Sequence, residues 1–165
     1  MDVSHRAISV WQRNRDAYLR QWRSSLGGLV LEPFFMLTAV GLGIGALVSG
    51  EAVESKSYAH FVAPGILTSY AMFHASFECT FGAYIRMQTH QIFVGIIVTP
   101  VSAEEVALGE LLWGATRSAI AALAILTVAT LLGLVDSVSA ILAIPVAALV
   151  GLMFASIALS LTAIT

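Results

Sequence analysis

The chain has 165 residues, of which 58% are hydrophobic and only 11% charged, with a formal net charge of −2. Soluble domains average about 45–50% apolar and about 25% charged residues, so this composition points away from a soluble domain and to an all-α integral membrane protein, and the arginines are too localised for a nucleic-acid surface. A single cysteine, Cys79, excludes an internal disulfide and a multi-cysteine metal site, and His5, His60, His74 and His90 include no pair at helical ligand spacing.

Residues 1–26 read as an amphipathic helix. Projected at about 100° per residue, Ile8, Trp11, Tyr18, Leu19, Trp22 and Leu26 share one side, while Arg6, Arg13, Arg20 and Arg23 take the other. Arg15 falls in the apolar sector, where its long stem can snorkel. This pattern suits a helix lying in the headgroup layer. A secretory signal peptide is the competing reading, but the charged region is long and no small-residue cleavage pattern follows.

Residues 29–48 form a first apolar run of the length needed to cross about 30 Å of hydrocarbon. Glu32-Pro33 is expected in its first turn, where proline is tolerated and a carboxylate favoured. Gly41 and Gly45 form a G-x-x-x-G pair suited to close helix approach in a membrane. A polar loop, 49–60, leads to a second run at 61–81. A polar-containing stretch, 84–100, follows and ends at Thr99-Pro100, where the residue before proline is pushed out of the α region. Ser102 and Glu105 then form an S-x-x-E capping box, which opens a third helix over 102–135 with a start outside the hydrocarbon. Asp136-Ser137 makes a tight turn, and a fourth run, 138–165, continues to Thr165 without a charge, the pattern expected of a C-terminally incomplete chain.

The first segment carries five arginines and the 82–104 region carries Arg86, whereas the 49–60 loop and the Asp136 turn are acidic. Lys/Arg bias orients membrane helices, which places the N-terminus and the 84–100 segment in the cytoplasm.

Glu78, Glu110 and Arg117 are the ionisable groups in or near the spans. A charge at the bilayer centre costs about 2.5–3.5 kcal/mol on insertion scales, so each requires a partner or water. Glu110 and Arg117, seven apart, share one helix face with Trp113 near it, and Glu78 is close enough to reach that helix. A structural ion pair joining two helices and a substrate contact both fit these positions. His74 reads as a hydrogen-bonded core histidine or, alternatively, a ligand. No ATP-binding glycine-rich loop is present, and no catalytic constellation emerges. In 84–100, Ile92, Phe93, Ile96 and Ile97 form an apolar stripe, while Arg86, Gln88, His90 and Gln91 are polar. Spacing alone fits a passive interfacial helix and a docking element for a cytoplasmic partner equally well.

Phe61-Val-Ala-Pro64-Gly65, then Phe77-Glu78-x-Thr80-Phe-Gly82 with Arg86-Met87, then Thr99-Pro100-x-Ser102-x-x-Glu105 and Gly109-Glu110-Leu-Leu-Trp113 stand in one order. This series resembles the membrane subunit of ABC-2 type exporters, nearest to the branch of nodulation lipo-oligosaccharide, drug and polysaccharide exporters. The resemblance covers about Arg13 to the end of the chain. It implies a six-span permease of the bacterial inner (plasma) membrane, of which four spans are expected here. It also implies a second permease copy as partner, identical or not, and separate ABC ATPase subunits that bind ATP and magnesium, this chain binding no cofactor or metal. Segment 84–100 would be the coupling helix, with Arg86, Gln88, His90 and Phe93 at the ATPase and Thr99, Pro100, Ser102 and Glu105 as the hinge into the third span. The reading from another class is a non-transporting membrane scaffold, or a permease fragment, that uses the G-x-x-x-G face and the N-terminal helix to recruit partners.

Overall fold

The computed structural model describes residues 5–44, 58–89 and 91–164, which are helices and turns with no strand among them. Helix α1 spans Arg6–Arg20, α2 Trp22–Thr38, α3 Tyr58–Phe77, α4 Ile92–Ile97, α5 Ala103–Leu131 and α6 Ala143–Ile164. A π-helical segment, Ala39–Ile44, extends α2, and two more, Glu78–Gly82 and Ile85–Thr89, extend α3. Helix α5 is the hub, since each of the other five packs against it.

The N-terminal amphipathic segment is shorter than the expected 1–26. Gln21, at φ −103° and ψ 12°, leaves the helical region and donates its N–H to Tyr18 O at 3.1 Å. Residues from Trp22 onward belong to α2. This new start also relocates Pro33. It lies in the interior of α2, where it cannot donate to the carbonyl four residues back, and its side chain is fully buried. The face that α1 turns to the protein takes only part of its bulky side, with Trp11 Nε1 donating to Thr116 Oγ1 at 2.9 Å and Tyr18 packed on Trp113. Ala7, Val10 and Asn14 are buried, whereas Ile8 and Leu19 are exposed. Closeness explains this: a Cβ on Gly109 of α5 would lie 2.6 Å from Val10 Cβ.

The S-x-x-E pattern forms a complete capping box. Ser102 Oγ accepts from the Glu105 N–H at 3.2 Å, and Glu105 Oε2 accepts from the Ser102 N–H at 2.9 Å. Two of the helix's orphan donors are thereby satisfied. At the other end Gly133, at φ 71°, takes the left-handed conformation that glycine adopts without a Cβ clash. The Gly133 N–H donates to Thr130 O at 3.0 Å and the Leu134 N–H to Ala129 O at 2.9 Å, the paired bonds of a Schellman stop.

Two stretches among the described residues are long and apolar enough to cross a membrane, Ala103–Leu131 and Val138–Ile164. At 1.5 Å per residue α5 is about 44 Å long, more than the roughly 30 Å of hydrocarbon. Its first turns therefore extend beyond the apolar layer if the rest spans it. Side-chain sizes are sorted accordingly. The interior is built from small residues such as Ala71, Ala75, Ala121, Ala122 and Ala155, while Phe61, Phe73, Leu123, Leu149 and Leu161 face outward. Small residues permit backbone contact where lipid removes the usual reason to bury large apolar groups. The close approaches fall on Gly109, Gly114 and Gly151. A Cβ at Gly114 would meet Cys79 Sγ at 2.7 Å and Ala155 Cβ at 2.9 Å, and one at Gly151 would collide with Ser118. Of the expected pair, Gly41 lies in the π-helical extension of α2 and Gly45 lies outside the described residues.

Candidate functional site: an arginine–glutamate network at the head of α5

The site arises where α3 ends. After Phe77 the helix widens into the π-helical turn Glu78–Gly82. Such turns insert a residue, re-aim side chains and are frequent at functional sites. Here Cys79 O is 3.2 Å from Thr162 Oγ1 of α6, so a hydroxyl from a neighbouring helix serves a carbonyl in the irregular turn. The second π-helical turn, Ile85–Thr89, carries Arg86 back toward the bundle.

Arg86 donates through Nη1 to Glu78 Oε1 at 2.8 Å and through Nη2 to Glu110 Oε2 at 2.6 Å. Glu110 has no exposed surface and also accepts from Asn14 Nδ2 at 3.0 Å and Arg13 Nη2 at 3.4 Å, both on α1. Glu78 Oε1 accepts from Trp113 Nε1 at 3.0 Å, and Glu78 Oε2 lies 3.3 Å from Arg117 Nε as an ion pair. The Arg117 guanidinium in turn sits 4.5 Å from the centre of the Tyr18 ring. Tyr18 and Trp113 meet edge to face at 5.7 Å. One continuous network thus links α1, the end of α3, the turn before α4 and the first half of α5. It lines a cleft of about 520 Å³ walled by Tyr18, Ile92, Trp113 and the three arginines.

Burial acts to lower the pKa of both Arg13 and Arg86. For Arg13 that effect prevails over the attraction of Glu110, whereas for Arg86 the two carboxylates, Glu110 ahead of Glu78, more than offset it. Arg86 is therefore more firmly cationic than Arg13, held between two opposite charges.

The structure divides the residues expected at an ATPase. Arg86 faces inward, with both Nη groups engaged by the carboxylates of Glu78 and Glu110 and not directed outward as a docking contact would be. Phe93 is half-buried and lines an apolar groove with Met87 and Val106, so it fastens α4 to α5. Gln88, Val94, Val98, Thr99 and Pro100 are exposed. His90 lies outside the described residues. Ser102 is exposed and Glu105 buried in the capping box. Gln91, at φ 49°, starts α4 in the left-handed region. Arg6 Nη1 donates to Pro100 O, tying the beginning of α1 to the break before α5.

His74 is separate from the network. It packs edge to face on Tyr70 at 4.3 Å, and its Nε2 has no hydrogen-bond partner among the described residues. Tyr70 donates to Glu32 Oε2 at 2.8 Å and joins α2 to α3, a link that the sequence reading did not anticipate. At the opposite end of α3 and α5, His60 Nε2 and Asp136 Oδ1 are 3.8 Å apart beside a cavity of about 370 Å³. Among the described residues no group of three potential metal ligands converges.

The profile of the ABC-2 type transporter family, described as "ABC-2 type transporter", matches residues 6–165. Nodulation protein J of Bradyrhizobium diazoefficiens (strain USDA 110) is 38% identical over 151 residues, 92% of this chain and 57% of that protein. Nodulation protein J of Rhizobium meliloti (strain 1021) is 36% identical over 157 residues, 95% of this chain and 59% of the relative. Nodulation protein J of Azorhizobium caulinodans (strain ORS 571) is 30% identical over 157 residues, 95% of this chain and 61% of the relative. The chain thus spans about three-fifths of the length of these curated relatives. No solved structure matches it. With a family profile matched along almost its whole length, the chain belongs to the ABC-2 type transporter family.

Proposed function

We propose that this chain is the transmembrane permease part of an ATP-driven exporter of an amphipathic substrate such as a lipid-linked saccharide, a polysaccharide or a drug. The similarity to proteins named Nodulation protein J favours a lipo-oligosaccharide within that class. In this reading α1 lies at the cytoplasmic membrane surface, and α2, α3, α5 and α6 cross the inner membrane. Residues 84–100 rest on a separate ATPase subunit that binds ATP and magnesium. A second permease copy completes the translocation path.

The observation that carries this reading is the double anchorage of Arg86. It stands in the turn before α4 and grips Glu78 at the end of α3 and Glu110 on α5 at once. A displacement delivered to residues 85–97 therefore loads two membrane helices together, and the capped start of α5 makes that helix stiff enough to carry it. Coupling of this kind needs a contiguous element with two arrangements, which ATPase closure would bias. The exposed Gln88, Val94 and Val98 form the docking surface, while Arg86 transmits from behind it.

Co-purification of the permease with its ATPase tests the proposal. Replacing Gln88, Val94 and Val98 together by Ala, Glu and Glu is expected to abolish ATPase capture while membrane insertion persists. Undiminished capture would remove residues 84–100 from the interface.

A further inference from the structure

The network is not electrically closed. Arg13, Arg86 and Arg117 supply three positive charges to the cleft and Glu78 and Glu110 supply two negative ones, leaving one positive charge in excess. Its donors are not all used either. Arg13 Nη1 and Arg86 Nε are each buried with no hydrogen-bond partner among the described residues, whereas Arg117 Nε faces Glu78 Oε2 at 3.3 Å. A surplus of positive charge in a partly buried cluster is costly, and a buried donor without an acceptor adds a further penalty. Two such donors on the wall of one cleft call for an acceptor-rich anion.

We infer that this cleft holds the phosphodiester headgroup of an anionic phospholipid of the cytoplasmic leaflet, with Arg13 at its mouth. A phosphodiester carries one negative charge and several acceptor oxygens, which matches the excess charge and the guanidinium donors. Arg13 is the most solvent-accessible of the three arginines, its side chain 32% exposed against 16% for Arg86 and Arg117, so an incoming headgroup meets it first.

The surroundings favour a lipid over a free anion. Tyr18, Ile92 and Trp113 give the cleft apolar walls that suit a glycerol stem better than a hydrated ion. Tyr and Trp are enriched in the headgroup layer. Helix α1 leaves Ile8 and Leu19 exposed beside a run of arginines, the pattern of a helix resting on acidic lipid. Basic pockets between helices on the cytoplasmic side are recognised sites for anionic headgroups. The inference rests on the membrane placement proposed above. It assigns the lipid to the permease as a resident that bridges α1 to α5, separate from the transported substrate.

The test uses the permease purified with its ATPase and placed in nanodiscs of phosphatidylcholine with or without phosphatidylglycerol. Retained lipid is counted by native mass spectrometry. Phosphatidylglycerol is expected to be retained in preference to phosphatidylcholine and to raise Tm. Arg13→Gln should weaken that retention about tenfold, the scale of one charge-assisted contact, and Arg13→Lys should restore most of it. Inorganic phosphate should neither displace the lipid nor reproduce the Tm shift. Equal retention of the two lipids by the unaltered protein would overturn the inference even if Arg13→Gln did not fold. Unchanged retention in Arg13→Gln would do the same, and a Tm shift reproduced by phosphate would make this a free-anion site. Loss of the ATPase with lipid selectivity intact would instead count against the coupling reading alone.

Discussion

Arg86 Nη2 lies 2.6 Å from Glu110 Oε2, and Glu110 has no exposed surface. The pair draws α5 and the turn before α4 together, with the Glu110 carboxylate sealed from water and Arg86 showing 16% of its side chain to the cleft. Breaking a buried pair from one side is far more damaging than removing both partners, because the survivor is left buried and uncompensated. Glu110→Gln leaves Arg86 with Glu78 alone and takes from Arg13 its carboxylate partner, and is expected to destabilise the protein by about 3 kcal/mol. The double variant Glu110→Gln with Arg86→Met should lose less than the sum of the two single changes, by at least ~1 kcal/mol. Denaturant unfolding of the four proteins in detergent measures the difference. Additive losses would mean that the two groups do not act as a pair.

Helix contact makes a sharper distinction among glycines. Gly114 faces Cys79 and Ala155 within 3 Å of where its Cβ would stand, whereas nothing lies within 4 Å of a Cβ on Gly65. Gly114→Ala is expected to cost about 1–3 kcal/mol through overpacking. Gly65→Ala, in α3, should be neutral or stabilising by up to about 1 kcal/mol from helix propensity. Parallel thermal melts of the two variants check this, and a stable Gly114→Ala protein would show that α3, α5 and α6 can separate without penalty.

The contrast between what the sequence disclosed and what it concealed follows from the range of each signal. The capping box at Ser102 and Glu105 and the break at Thr99-Pro100 are encoded within a few residues, and their location followed from local rules. The break at Gln21 has no proline or glycine to announce it, so the amphipathic pattern alone predicts a longer N-terminal helix than the one that forms. Burial of Asn14 could not be seen in an amphipathic projection that sorts residues by hydropathy, because what turns Asn14 inward is Glu110, 96 positions away. The clue available was a shortage: Glu110 requires partners, and on the assigned cytoplasmic side the arginines lie in the N-terminal segment and at Arg86. Arg86 was legible as a residue of importance, but the direction of its side chain depended on the two π-helical turns, which no local pattern announced.

The hydroxyl of Tyr70 offers a measure of how much a single polar link between α2 and α3 contributes. It donates to Glu32 Oε2 at 2.8 Å while the Tyr70 ring is buried. Polar contacts between membrane helices average about 0.6 kcal/mol, so Tyr70→Phe should lower stability by about that amount and leave Glu110-dependent effects unchanged. A loss several times larger, measured by the same unfolding assay, would indicate that Glu32 has no other access to solvation.

Gln91 provides the most local of these tests. Its φ of 49° starts α4 in a region that costs an L-residue with a side chain about 1–2 kcal/mol and costs glycine almost nothing. The Gln91 carbonyl nevertheless accepts from the Gly95 N–H at 3.2 Å, so the strained residue closes the first turn of α4. Gln91→Gly is expected to keep that bond, relieve the strain and stabilise the segment by up to about 1 kcal/mol. Gln91→Val, with a β-branched side chain at the same φ, should destabilise it. Hydrogen exchange at the amides of Gly95 and Val98 reads the two changes where they occur: slower exchange in the glycine variant and faster in the valine variant. Slower exchange in both would mean that the left-handed residue does not set the stability of α4, and the turn from Arg86 into this helix would then owe its shape to the network behind it alone.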